Sequence, residues 1–289
     1  MLSLIDSCPQ IEKLWKDGSL QFNQWEIYAD EVYEGIAEIL KQDIQSYLET
    51  GMYSFEQDFL PLMQAVHQNP KLEILHRSFN EATKGLEQQI VHHFGKSLNV
   101  DIVLYLGLGN AAGWVLNIRG RDVILLGVEK IIELDWCDLN AMYGLIYHEL
   151  GHVYQSQHGV LERYSQEQEK NFVWQLFTEG IAMYFEQVLV ENFDYYHQDN
   201  AGWKDWCDRH FQQILIDFNA DLPVMTRQNQ RYFGDWCDYF GWGDVGYYLG
   251  TRFVHWLLAK FSFDELINLD MDCVYGCYWD FYQQHCPVK

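Results

Sequence analysis

Residues 145–159 read LIYHELGHVYQSQHG, and three of them carry a recognisable chemistry. His148 and His152 are four positions apart, so on a helix they project from one face. Two imidazoles held that way can both reach one zinc ion at bonds of about 2.0–2.1 Å. Glu149, one residue on from the first histidine, leans beside such an ion rather than onto it. That is where a general base stands to take a proton from metal-activated water. Were the three only core polar groups, Glu149 would be a buried carboxylate in need of partners. The chemistry indicated is metal-assisted hydrolysis.

The elements that must position these residues are legible around them. LNAMYGLIYHELGHVYQ is helix-compatible throughout, and Leu139, Tyr143, Ile146, Leu150 and Val153 give it a wide apolar surface to bury. Catalytic zinc keeps three protein ligands and one water, so a third ligand is required. Two residues compete. His158 lies six positions after His152, where the metzincin pattern HExxHxxGxxH puts its last histidine. That pattern needs glycine for its chain turn at the place where this chain has Gln155, and SQHG reads as a helix end with Gly159 as its cap. The rival is Glu179 in FTEGIAMYFE, on the next amphipathic helix. The connection LERYSQEQEKNF is long enough for that helix to return antiparallel. Glu162, Glu167, Glu169 and Glu186 lie in loop or motif-free contexts and are weaker candidates.

HExxH followed by E-G-x-A, here Glu179-Gly180-Ile181-Ala182, resembles the gluzincins, the group of thermolysin and the aminopeptidase N type. The resemblance implies Glu179 as the third zinc ligand, ahead of His158. It also implies an edge strand just upstream of the HExxH helix whose backbone pairs with an extended peptide substrate. GLGNAAGWVL occupies that place, and Asn110-Ala111 with Trp114 is loosely similar to the Asn-Ala-x-Trp of thermolysin-like enzymes, with one residue more before the tryptophan. DVGYYLGTRFVHWLL, residues 244–258, is similar to the Tyr-x-x-Gly helix start of aminopeptidase-like members. There the tyrosine hydroxyl supports the oxyanion; the match falls on Tyr247 with Gly250, and Tyr248 is the neighbouring alternative. Two departures stand out. The aminopeptidase Gly-x-Met-Glu-Asn strand is absent, and Met183 occupies the place where thermolysin-like enzymes carry an aspartate four residues after the third ligand. These matches span residues 101 to about 260, and the chain as a whole is similar to bacterial proteins expected to be zinc-dependent proteases of this clan.

The rest of the chain constrains the reading. With 289 residues and 48% apolar content it can bury one sizeable core. The formal charge of −23 repels phosphate backbones, which makes nucleic acid and anionic membranes poor partners and favours neutral or cationic substrates. Seven cysteines without a CxxC pair read as reduced, mostly buried thiols, since the chain far exceeds a disulfide-stapled scaffold. MLSLIDSCPQIEKLWKDG lacks the basic start and apolar run of a signal peptide, and no stretch approaches 18 uninterrupted apolar residues; a cytoplasmic protein is expected. His92 and His93 are adjacent and point about 100° apart on a helix, so they read as ordinary helix residues. His255, alone on an apolar helix, reads as core.

Residues 21–98 show helical periodicity. From 101, DIVLYLGL, WVLNIRG and DVILLGV are short, apolar and β-branched with glycines between, which predicts two or three strands. Helices are predicted again over about 138–156, 170–192, 203–217 and 246–260. The expected architecture is therefore α+β and mainly α: an N-terminal helical region over 1–100 docked on a zincin-like metallopeptidase domain over 101–289. The expected function is peptide-bond hydrolysis with zinc on His148, His152 and Glu179, Glu149 as general base, Tyr247 on the oxyanion, and Asn110-Ala111 beside the peptide substrate. Two other classes fit the same motif, a catalytically silent zinc-binding regulator or scaffold, and a true aminopeptidase.

Overall fold

The computed structural model describes residues 1–234 and 236–286. They form two compact units, 1–149 and 150–289. The first begins with β1 (Leu2–Asp6), α1 (Cys8–Ile11) and a ribbon of β2 (Trp15–Lys16) and β3 (Ser19–Leu20). Five α-helices follow, α2 (Phe22–Val32), α3 (Ile36–Leu48), α4 (Leu60–Gln64), α5 (Lys71–Ala82) and α6 (Leu86–Phe94), with a π-helical turn over Phe55–Phe59 before α4. The chain then lays down β4 (Val100–Tyr105), β5 (Gly113–Ile118) and β6 (Arg121–Gly127), and α7 (Val128–Glu133). The division between units falls inside one continuous helix, α8 (Leu139–His158). The second unit continues with α9 (Gln168–Leu189), α10 (Trp203–Asp221), α11 (Val245–Leu257), α12 (Phe263–Leu266) and α13 (Met271–His285). The fold is α+β and mainly helical with a small mixed sheet, and no described helix is long and apolar enough to cross a membrane.

The sheet has the order β1-β4-β6-β5. β1, β4 and β6 are parallel, and β5 runs antiparallel to β6 on the edge. β4 is buried at every position, as expected of a central parallel strand. β5 and β6 form a hairpin because Arg119 and Gly120 both take positive φ, the signature of a two-residue type I′ turn. The Asn117 side chain secures that turn by accepting from the Gly120 amide. α2 fastens the end of β4: Trp25 donates its indole N–H to the Leu106 carbonyl, and the Tyr28 hydroxyl accepts from the Leu106 amide.

The division read from composition at residue 100 differs from these units. β1 pairs with β4 from Leu2↔Val100 onward, so the first hundred residues contribute a strand to the sheet as well as helices. In the second unit α11 packs along α9, and α13 closes on both. All seven cysteines are free thiols, three of them buried; burial pushes Cys207 up to about 12.

Candidate metal centre

α8 starts where Asp138 accepts from the Ala141 amide, an N-cap of ordinary kind. It runs unbroken through His148, Glu149 and His152 to His158. Gly151 lets the next helix come close, since a Cβ there would stand 2.6 Å from the Ala182 Cα. Glu179 sits one turn before Ala182 on α9, and its Oε2 lies 3.2 Å from His152 Nε2. His148 joins them: one ligand atom from each of His148, His152 and Glu179 lies within 4.8 Å of the others. His148 is buried, whereas the His152 and Glu179 side chains keep 16% and 17% of their surface.

This donor set fits zinc. Tetrahedral bonds of about 2.0–2.2 Å separate donor atoms by about 3.3 Å, and the His152–Glu179 spacing already meets that. Two imidazoles and one carboxylate leave a fourth position, which is the composition of a catalytic rather than a structural zinc site.

His158 is the last residue of α8, six positions beyond His152 on the same helix, so its side chain leaves from a different face. Its ring rests against Tyr154 at 4.7 Å between centroids. Gln155 explains why the chain makes no metzincin turn. It is fully buried, and its amide donates to the Val160 carbonyl, closing the helix end. Among the described residues, the candidate groups that include His148 reach Glu179, Glu186 and His197, but not His158.

Glu149 belongs to the first unit together with the edge strand. A Cβ on Gly113, the first residue of β5, would stand 3.1 Å from Glu149 Oε1 and 2.7 Å from Leu145 Cδ1. The proposed base therefore abuts the start of the strand whose outer edge carries no partner strand among the described residues. Asn110 and Ala111 lie just before that strand. The Asn110 side chain turns inward, donating to the Leu40 carbonyl and to Asp43 Oδ2 and accepting from the Leu108 amide. Its role here is to hold the loop that delivers Gly113. The same loop is gripped from below by buried Glu129, which accepts from the Gly107 and Gly109 amides. Burial raises the Glu129 carboxyl against the pull of those hydrogen bonds.

The tyrosine pair at the start of α11 separates cleanly. Tyr248 is buried and donates its hydroxyl to Asp208 Oδ1 at 2.7 Å, a structural hydrogen bond to α10; burial and that carboxylate push the phenol far up. Tyr247 is only partly buried, with its ring 6.3 Å from that of His197 and 5.6 Å from that of Phe233. α11 reaches α9 at backbone contact through Gly250 and Gly180, the glycines of the two matched motifs. His255 bonds Gln187 through Nε2 at 2.8 Å; it is half-buried rather than core, and its partial burial lowers its pKa. His92 and His93 end α6 on the surface.

Sequence reasoning ranked Glu186 among the weaker candidates and passed over His197. Glu186 is completely buried, and His197 Nδ1 lies 2.9 and 3.1 Å from its two carboxylate oxygens. With His148 they form a second group whose ligand atoms fall within 4.8 Å. Burial raises the Glu186 carboxyl, and His197 pulls it part of the way back. The only sequence signal was spacing, for Glu186 follows Glu179 by seven residues, two turns along one helix face. His197 stands in a loop with no motif. Comparison with family models, curated proteins and solved structures gives no match to this chain.

Proposed function

We propose that the protein is a zinc-dependent peptidase of gluzincin type. One observation carries the reading. Two histidines of an HExxH helix and the glutamate of an E-G-x-A helix converge, with the intervening Glu149 against the edge of a sheet. The ion would be held by His148, His152 and Glu179. Bound there, zinc supplies Lewis-acid polarisation of the scissile carbonyl and a lowered pKa for water.

The chain's own residues do the remainder. The open edge of β5 offers backbone N–H and C=O groups to an extended peptide, which orients the scissile bond without selecting side chains. Glu149, beside Gly113, takes the proton of the attacking water and returns it to the departing amine. Tyr247 donates its hydroxyl to the oxygen that gains charge in the tetrahedral state; such donors contribute about 3 kcal/mol. The negative charge of the chain suits neutral or cationic peptides.

The test is zinc content together with cleavage of an internally quenched peptide library by wild type and Glu149→Gln. The reading expects one zinc per chain in both and cleavage only by wild type. Equal biological effect from the two proteins, with zinc retained and no cleavage by either, points instead to a silent zinc-binding regulator.

A further inference from the structure

Within the first unit a separate set of donors, of mixed kind, meets at the end of the sheet. Asp6, Cys8 and His76 each offer one ligand atom, and these lie within 4.8 Å of one another. Asp6 ends β1 and Cys8 opens α1. Between them Ser7 is buried, its amide and hydroxyl both donating to the Leu104 carbonyl and its Oγ paired with the Tyr28 hydroxyl at 2.7 Å. The Cys8 amide donates to Asp6 Oδ1. The backbone that carries the first two donors is thus tied to β4. The third donor comes from α5, where His76 Nδ1 stands 2.6 Å from Asp6 Oδ2. Asn80, one turn on, donates to the same oxygen and to the His76 carbonyl.

An ordinary ion pair between Asp6 and His76 leaves the thiol unexplained. Cys8 is buried and hydrogen-bonds the same carboxylate; burial first and Asp6 second push the thiol far above its usual range. A thiol so placed is a poor nucleophile, because Asp6 opposes the thiolate and His76 turns Nδ1 to Asp6. What the arrangement suits is a dication, which displaces the thiol proton and takes thiolate, imidazole and carboxylate as ligands. Sulfur, nitrogen and oxygen together make a borderline-soft set, the kind zinc takes. Tetrahedral Zn–N and Zn–O bonds place those two atoms about 3.3 Å apart, so the imidazole must draw back by about 0.7 Å. The His76 side chain keeps 42% of its surface, which gives the ring room to do so.

We propose that Asp6, Cys8 and His76 form a second zinc site, which clips the end of β1 to α5. Because the His76 ring has to shift, this site holds its ion less tightly than the group of His148, His152 and Glu179. The one ion expected under the peptidase reading is the one kept through purification, and the second site fills on titration. Its effect is on stability, since an ion bound only by the folded chain favours that state. Neither the zinc nor the hydrolytic step of the peptidase reading is needed for it.

Cobalt titration of the reduced, metal-free full chain reads the site directly. A cysteine ligand gives an intense thiolate-to-cobalt charge-transfer band in the near ultraviolet, and the group of His148, His152 and Glu179 contains no sulfur. Wild type and Glu179→Ala should both show the band, and added zinc should abolish it by displacement. Cys8→Ser should lose it. His76→Ala, at a half-exposed position, should bind this cobalt more weakly by at least about tenfold, and carries the test should Cys8→Ser not fold. Zinc should raise the unfolding temperature of Glu179→Ala, but not once His76→Ala is added. Absence of the band in wild type overturns the site. So does a band that persists at full strength in Cys8→Ser, which assigns the thiolate to another cysteine, and so does wild-type cobalt affinity in His76→Ala. Zinc bound without peptide cleavage overturns the hydrolase reading alone and leaves the cobalt band in place.

Discussion

Gly180 and Gly250 meet backbone to backbone: a Cβ on Gly180 would stand 2.3 Å from the Gly250 carbonyl oxygen. These are the glycines of E-G-x-A and of Tyr-x-x-Gly, seventy residues apart in the chain. Their contact seats α11 on α9, one residue from Glu179 and one turn from Tyr247. A methyl group at either position has to push two helix backbones apart. Gly180→Ala and Gly250→Ala should each destabilise the fold by about 3 kcal/mol, the upper end for overpacking. Thermal unfolding measures it, and a change under about 0.5 kcal/mol, the range of neutral surface substitutions, would contradict the packing described.

Glu179 and His158 make opposite predictions about the ion. Glu179→Ala should lower zinc affinity by more than the roughly 10–100-fold that an outer partner costs. His158→Ala should leave affinity unchanged, because its ring rests at a tilt against Tyr154 at the end of α8. Chelator competition on the two variants decides between them, and the reverse result would return the third ligand to His158.

Gly113 tests whether the edge strand and the base are one device. Its missing Cβ leaves room for the Glu149 carboxylate and the tip of Leu145. Gly113→Ala should cost little stability, since Leu145 can turn aside, yet lower kcat by about tenfold or more through a displaced base. Glu149→Gln should lower it by about 10²–10⁴-fold. Retention of full kcat by Gly113→Ala would separate the strand from the chemistry.

The neighbouring tyrosines should divide function from stability. Tyr247→Phe should lower kcat by about 100-fold with little change in unfolding temperature. Tyr248→Phe should leave catalysis in place but cost about 0.5–1.5 kcal/mol, the net worth of its hydrogen bond to the partly exposed Asp208. Steady-state kinetics and calorimetry on the pair check both halves.

Acid stability should depend on Asp101. Burial works to raise its carboxyl, but hydrogen bonds from Arg121, Tyr33 and Ser3 outweigh that and hold it below the usual range. A carboxylate depressed in the folded state stabilises fully above its unfolded pKa, about 3.9, and the contribution is lost as pH falls through the folded value. Asp101→Asn should therefore be less stable than wild type near neutrality, with the gap closing below about pH 4. Unfolding temperatures compared across pH test this; a gap of constant size would refute it.

Much of this was legible in the residues, for physical reasons that differ by element. α8, α9, α10 and α11 announce themselves because each buries an apolar stripe of helical period, and the predicted spans agree with the helices to within a few residues. β4, β5 and β6 show as short apolar runs between glycines. β1 did not, because LSLID gains its identity only from a partner a hundred residues away. Asn110 carried a motif letter, but its side-chain partners on α3 come from tertiary packing. Tyr247 and Tyr248 are equivalent as letters, and only the presence of Asp208 across α10 tells them apart. His197 is the clearest omission, and Glu186 was ranked low because a carboxylate is assumed to be solvated until the fold shows it completely buried.

The parallel pairing of β1 with β4 has a consequence for how the chain reaches this state. The β5–β6 hairpin closes over two residues and can form within microseconds. β1 can add to β4 only after the loop holding α1 to α6 has been drawn together, a non-local closure of the kind that slows folding. In the interval β4 presents a row of unpaired amides and carbonyls on a strand whose side chains are all destined for the interior. Such an edge recruits strands from other molecules. Weakening β1 should accordingly show first as lost soluble yield during refolding, before it shows as a lower unfolding temperature.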